Sequence, residues 1–264
     1  MTQLVHTPEA LAEALPSGPV SLVPTMGALH SGHLALVRAA KALGNPVVVS
    51  IFVNPLQFAP GEDLEKYPRT LAEDVEKLEA LGVDAVFAPA PETMYPHGPR
   101  TTIQPGPLGG VLEGATRPTH FAGVLTVVAK LFALTGASDA FFGEKDYQQL
   151  ALIRQMVDDL HLPLRIHGCP IVRDTDGLAL SSRNRYLSDE ERTVALAIPR
   201  ALDTGSLAEA RSLLDAAKGL HLDYLVATAE DMSELPDGYT GPARLLVAAK
   251  AGATRLLDNA PVEL

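Results

Sequence analysis

The run Val47-Val-Val-Ser-Ile-Phe-Val53 is apolar at almost every position, so a strand formed there must be covered on both faces. Val20-Ser-Leu-Val-Pro24 has the same character, and Val83-Asp-Ala-Val-Phe87 and Asp139-Ala-Phe-Phe142 are shorter strand candidates. Helical patterns alternate with them. Thr70-Leu-Ala-Glu73 has the form of a capping box, with Leu71, Val75, Leu78 and Leu81 following at helical spacing, and Phe121 to Leu134 and Tyr147 to Leu160 are two further helices. Repeated strand–helix–strand units predict an α/β fold, a Rossmann-like doubly wound parallel sheet that binds ligands at the carboxyl ends of its strands. Two segments rich in proline and glycine interrupt the pattern. Asn54 to Arg69 carries Pro55, Pro60, Gly61 and Pro68, and Ala88 to His120 holds only a short strand candidate, Thr101-Thr-Ile-Gln104. Connections this long are usually binding loops or lids.

The texture changes after about Val172. A turn over Arg173-Asp-Thr-Asp-Gly177 precedes a second capping box, Ser188-Asp-Glu-Glu191. Helices over Glu190 to Leu202 and Ser206 to Lys218, with strands over Asp223 to Ala227 and Arg244 to Lys250, predict a smaller α+β C-terminal domain. The expected division is residues 1–171 and 172–264, the second acting as a lid.

Composition narrows the class. The single cysteine, Cys169, cannot form an internal disulfide and reads as a core thiol. The apolar run from Pro118 to Ala129, stopped by Lys130, falls short of the ~18 residues a bilayer needs. The opening residues lack the basic and apolar regions of a signal peptide, so the expectation is a cytoplasmic protein that does not engage the membrane. A net charge of −11 argues against a nucleic-acid partner, while leaving room for a local basic pocket.

Four motifs could carry chemistry. Pro24-Thr-Met-Gly-Ala-Leu-His-Ser-Gly-His33 follows the first long strand and opens a helix. Gly32 lets a ligand approach the backbone, the helix start is an anion site, and His30 and His33 can each donate to a phosphate oxygen. Phe142-Gly-Glu-Lys-Asp-Tyr-Gln-Gln149 again joins a strand to a helix, with Lys145 as a point charge and Asp146 suited to ribose hydroxyls or a metal. Leu180-Ser-Ser-Arg-Asn184 offers two hydroxyls and a guanidinium to a triphosphate. Ile51-Phe-Val-Asn-Pro-Leu-Gln-Phe58 places Asn54 and Gln57 at a strand mouth, where amides orient a small polar substrate. There is no Gly-x-x-x-x-Gly-Lys-Ser/Thr loop, no Gly-x-Gly-x-x-Gly turn and no Gly-x-Ser-x-Gly elbow. The inventory points to chemistry at a nucleotide's phosphates.

These segments, with Tyr67-Pro-Arg-Thr70, Arg117-Pro-Thr-His-Phe121 and Arg255-Leu-Leu-Asp-Asn259, closely resemble the pantothenate synthetase (pantoate–β-alanine ligase) family. The family lies within the His-x-Gly-His nucleotidylyltransferase superfamily. The resemblance implies ATP-dependent joining of pantoate to β-alanine through a pantoyl adenylate, with release of pyrophosphate and AMP. It implies ATP contacts at Met26, Gly27, Ala28, Leu29, His30, Ser31, Gly32, His33, Gly143, Glu144, Lys145, Asp146, Val172, Leu180, Ser181, Ser182 and Arg183. Of these, His30, His33, Lys145 and Arg183 are the catalytic candidates. Gln57 and Gln149 would hold pantoate, with Gln57 also near β-alanine. Pro24, Met26, Val127, Val128 and Phe142 are candidates for an apolar wall, and Arg117 and His120 for steering the second substrate or closing a lid. Magnesium would accompany ATP as substrate with no tightly bound organic cofactor. Its protein ligands are not assigned; Asp74 could help, although its helix position suggests a solvated carboxylate. The family is typically a homodimer, and this chain is short for it between Leu202 and His221. Another small-molecule nucleotidylyltransferase, or a non-catalytic nucleotide sensor, remains an alternative at this point.

Overall fold

The computed structural model describes residues 2–59, 64–65 and 67–264, so Pro60 and Gly61 of the first irregular segment lie outside the described residues. Nine strands are present among them: β1 Gln3–Val5, β2 Ser21–Thr25, β3 Val47–Ile51, β4 Ala85–Phe87, β5 Asp139–Gly143, β6 Arg165–Cys169, β7 Leu220–Thr228, β8 Pro242–Ala251 and β9 Thr254–Glu263. The helices are α1 Pro8–Ala14, α2 Ser31–Ala42, α3 Leu71–Ala80, α4 Pro91–Met94, α5 Glu113–Thr116, α6 His120–Thr135, α7 Tyr147–Asp159, α8 Asp189–Ala195, α9 Ala197–Leu202 and α10 Leu207–Ala216. They form two compact units. One ends at Cys169, apart from Lys145–Tyr147; the other comprises those three residues and Pro170–Leu264.

In the first unit six strands form a parallel sheet in the order β1-β4-β3-β2-β5-β6. Strand order reverses between β2 and β5, the point at which doubly wound sheets open a crevice. Pro24 explains how. β2 pairs with β3 along its length but meets β5 only at Ser21 and Leu22, so Pro24 sits where that ladder has ended. A residue without an N–H is tolerated there because no bond toward β5 is required. Beneath the crevice, Leu36, Val37 and Ala40 of α2 and Leu78 of α3 pack on Val23, Val49, Val86 and Phe141. Helix α6 is apolar nearly all round and correspondingly buried.

Several boundaries differ from the sequence expectation, each for a local reason. Phe52 and Val53 leave the strand, because the chain turns at Asn54 into a 3₁₀ turn, Pro55–Gln57. Thr101–Gln104 forms no strand. Thr70 makes no capping bond to the backbone; its hydroxyl donates to Asp74 Oδ2 instead, at 3.1 Å. β1 and β6 escape a search for apolar runs, being a three-residue edge and a partly exposed edge reading Arg-Ile-His-Gly-Cys. Cys169, at the end of β6, is buried, and burial, followed by the charge of Glu144, pushes its thiol above the usual range. It is the core thiol expected.

At the opposite end of β5, Asp139 accepts from His167 Nε2 at 2.7 Å and from the Ser138 hydroxyl at 2.8 Å. Burial alone would raise its carboxyl. The hydrogen bonds from His167 and Ser138, then the charges of His167 and Arg165, outweigh that and hold it below the ordinary value. A lowered carboxylate contributes stability above its unfolded pKa, and that contribution fades as pH falls through the folded value. Asp139→Asn is therefore expected to lower urea-unfolding stability by about 1 kcal/mol at pH 6, the ordinary worth of one hydrogen bond. The gap from wild type should narrow as pH falls from the ordinary carboxylate range through the lowered folded value. A gap that shows no pH dependence anywhere on the acid limb would contradict this assignment.

The second unit contains a three-stranded antiparallel sheet, β7-β8-β9, backed by Leu178, Ile198, Leu202 and Leu214. The Ser188 capping box forms as expected, with Glu191 returning to the Ser188 amide. The single helix expected over Glu190 to Leu202 is instead α8 and α9, meeting at Leu196. Pro199 has no N–H for the Ala195 carbonyl, so a continuous helix cannot pass there. β9, which contains Pro261, is a third strand beyond the two expected in this unit. As an edge strand paired only with β8, it accommodates that proline.

Candidate active site

The motif after β2 folds as a tight turn into α2. His30 is the helix N-cap, extended at φ −119° and ψ 175°. Its Nδ1 accepts from the Gly32 amide at 3.2 Å, while His33 Nδ1 accepts from the His30 amide at 3.4 Å. The rings lie 4.1 Å apart. An imidazole whose Nδ1 accepts keeps its proton on Nε2, so this reciprocal cap orients both rings as Nε2–H donors. Met26, Gly27, Ala28, Leu29, Ser31 and Gly32 complete the turn.

That turn is held from α3 and the segment before it. Asp74 is 1% exposed and accepts the Leu29 amide at 2.8 Å. This corrects the expectation of a solvated carboxylate. Lys77 donates to the Leu29 carbonyl at 3.0 Å and Tyr67 to the Gly27 carbonyl at 2.8 Å. Gly27 has φ +65°, and a Cβ there would come within 2.8 Å of Asp74 Oδ2, so the position admits only glycine.

At the mouth of β3 an amide network is assembled. Asn54, 1% exposed, donates to Gln57 Oε1 at 3.2 Å and to the Gly123 carbonyl at 3.1 Å. Gln57 Nε2 points at Met26 Sδ, 3.1 Å away. Tyr95, which sequence reasoning missed, donates to Asn54 Oδ1 at 3.0 Å, and burial pushes its phenol up to about 12. It therefore stays a neutral donor at any working pH. Arg117 and His120 both donate to the Gln57 carbonyl, at 3.1 Å each. Arg117 also lies 3.2 Å from His120 Nε2, which fixes His120 as the neutral Nδ1–H tautomer. Both residues grip the turn that carries Gln57.

Gly143 ends β5 and Glu144 opens the 3₁₀ turn that follows it; a Cβ on Gly143 would meet nothing within 4 Å. Protein packing does not require glycine there, and the space is open to a ligand. Gln149 follows in α7, half-buried, while its neighbour Gln148 is a structural residue bonded to the Leu108 and Val111 carbonyls and the Glu113 amide. Val127, Val128 and Phe142 are buried in the first unit.

Lys145 and Asp146 belong to the second unit. Asn259 donates to the Lys145 carbonyl at 3.1 Å, and Arg244, stacked 3.8 Å over the Tyr147 ring, donates to Asn259 Oδ1. The Lys145 ammonium is 3.6 Å from Asp146. In the same unit Ser181 caps the 3₁₀ turn Ser182–Tyr186 through a bond from the Arg183 amide, and the Leu180 amide donates to the Val172 carbonyl. Leu180, Ser181, Ser182 and Arg183 thus form one ordered turn beside Val172.

The model of the family described as pantoate-beta-alanine ligase matches residues 3–261. The chain belongs to the pantoate–β-alanine ligase family. It is 63% identical over 257 residues to the pantothenate synthetase of Corynebacterium jeikeium, covering 93% of this chain and 83% of that one. The pantothenate synthetase of Nocardia farcinica is 61% identical over 255 residues, with 93% and 80% coverage. Among solved structures, the pantothenate synthetase of Thermus thermophilus superposes with a TM-score of 0.92 at 48% identity, covering 98% of both chains. The Francisella tularensis pantoate-beta-alanine ligase, solved in complex with beta-gamma ATP and beta-alanine, gives a TM-score of 0.84 at 36% identity, covering 98% of this chain and 97% of that one. The chain is an enzyme of the ligase class, with the α/β fold those structures share.

Proposed function

We propose that the enzyme condenses pantoate with β-alanine in two steps at the expense of ATP. The observation that carries this reading is the reciprocal His30–His33 cap, which aims two imidazole donors from a helix N-terminus beside a buried amide network. Pantoate's carboxylate is already ionised and needs no activating base. Held by Gln57 and Gln149, it attacks the α-phosphorus of ATP; the bond to the bridging oxygen breaks and pyrophosphate leaves. His30, His33, Lys145 and Arg183 stabilise the charge that develops on the phosphates. The amine of β-alanine then attacks the acyl carbon of the pantoyl adenylate, loses a proton and expels AMP, giving pantothenate.

Magnesium enters this reading as part of the nucleotide substrate. Among the described residues no group of three or more His, Cys, Asp or Glu could hold a metal ion, and Asp74 is committed to the Leu29 amide. The triphosphate oxygens and water are the ligands this ion favours. A cytoplasmic homodimer, as is typical of the family, is part of the same proposal; among the described residues no helix is long and apolar enough to cross a membrane.

The test is AMP formation from ATP and magnesium with pantoate and β-alanine each omitted in turn. AMP release that requires both acceptors supports the ligase. Release with folded protein that ignores pantoate would favour another nucleotidylyl transfer.

A further inference from the structure

We propose that Lys77 and Asp74 of α3 are positioning residues that set the tautomer of His33. This deepens the reading above and rests on it for the role of His33. Lys77 Nζ donates to the Leu29 carbonyl at 3.0 Å, and the N–H of the same peptide unit, that of His30, donates to His33 Nδ1 at 3.4 Å. A peptide unit is planar, so fixing its oxygen fixes the direction of its N–H. Asp74 holds the preceding peptide through the Leu29 amide at 2.8 Å, and its other oxygen takes the Thr70 hydroxyl at 3.1 Å. Asp74 and Lys77 lie 3.5 Å apart and are three residues apart on the helix. Between them they grip both backbone groups of Leu29. The chain of contacts therefore runs from the Lys77 ammonium through one peptide plane to the imidazole, and it ends by requiring an acceptor at Nδ1 and a proton at Nε2.

The burial of Asp74 supports a dedicated role. A carboxylate 1% exposed is costly unless charge and hydrogen bonds compensate, and an amphipathic helix has no packing need for one. Gly27, with room for no Cβ beside Asp74 Oδ2, shows how closely the turn is drawn onto this carboxylate.

The test is ¹⁵N NMR of the imidazoles in the full chain without substrates at pH 8, beside steady-state kinetics, for wild type, Lys77→Met, Asp74→Asn and Lys77→Arg. The wild type should show His33 as the Nε2–H tautomer. Lys77→Met should show a mixture of tautomers and a fall in kcat of about tenfold or more, as for other supporting-shell residues, with the KM for pantoate unchanged. Lys77→Arg, which keeps a donor, should restore both readouts. A folded Lys77→Met protein with the wild-type tautomer and kcat would overturn the proposal. If Lys77→Met fails to fold, Asp74→Asn decides by the same tautomer readout. Because the NMR readout uses no substrate, it stands whichever reaction the enzyme runs; a wild type inactive with pantoate would refute the function and leave this inference to the tautomer alone.

Discussion

His33→Ala is expected to lower kcat by about 10²–10³-fold, the usual loss on removing one donor from a site that stabilises developing anionic charge. The reason is geometric. His33 Nδ1 is occupied by the His30 amide, so its contribution to an incoming phosphate is the Nε2–H, which alanine cannot replace. No proton has to be taken from pantoate, so the loss should fall on kcat and spare the KM for pantoate. Stability should change little, because the ring's role as an acceptor at the helix start is worth about 1 kcal/mol. Steady-state kinetics with a thermal melt on the same sample measure all three. A variant that keeps turnover within about threefold would remove His33 from the mechanism.

Gly123→Ala should be strongly damaging, although it lies outside the His30–His33 turn. A Cβ at this position of α6 would lie 2.4 Å from the Leu56 carbonyl oxygen and 2.7 Å from the Gln57 amide nitrogen. Neither is the end of a flexible side chain, so either the helix or the 3₁₀ turn must shift. The turn carries Gln57, and the Gly123 carbonyl also receives Asn54, so the amide network is disturbed from two sides. The expected outcome is a rise of at least about tenfold in the KM for pantoate, since misplacement of a substrate-orienting group is costly. Overpacking should also cost about 1–3 kcal/mol of stability by urea unfolding. Unchanged KM and unchanged midpoint would show that the helix and turn accommodate the methyl group, and that Gln57 is not held as tightly as its contacts imply.

The parts of the site visible in the sequence are those whose chemistry is local. His30, Gly32 and His33 lie within one helix start of the first unit, and Ser181 to Arg183 within one turn of the second, so local spacing marks each group. Asp74 was misread because its helix pattern is that of an exposed face; only the return of the Gly27–Leu29 turn buries it. Tyr95 sits in a proline-rich loop with no periodicity to mark it, and reaches Asn54 across 41 positions of sequence. The bonds of Arg117 and His120 to the Gln57 carbonyl were not legible, because they depend on how α6 meets the 3₁₀ turn. The central strands were legible because two covered faces demand continuous apolar residues. β1, β6 and β9 lie at sheet edges, where that demand lapses. Lys145, expected with its strand, is held by Asn259 from the far end of the chain, a pairing no local pattern announces.

The central claim is the adenylate, and it is tested most directly by exchange of labelled pyrophosphate into ATP. Wild-type enzyme with ATP, magnesium and pantoate, and no β-alanine, should catalyse the exchange, because the first step is complete and reversible before the amine binds. Omitting pantoate should abolish it. Exchange absent with pantoate alone, in folded enzyme that still makes pantothenate when β-alanine is added, would contradict a free-standing adenylate and require both acceptors to react in one concerted complex.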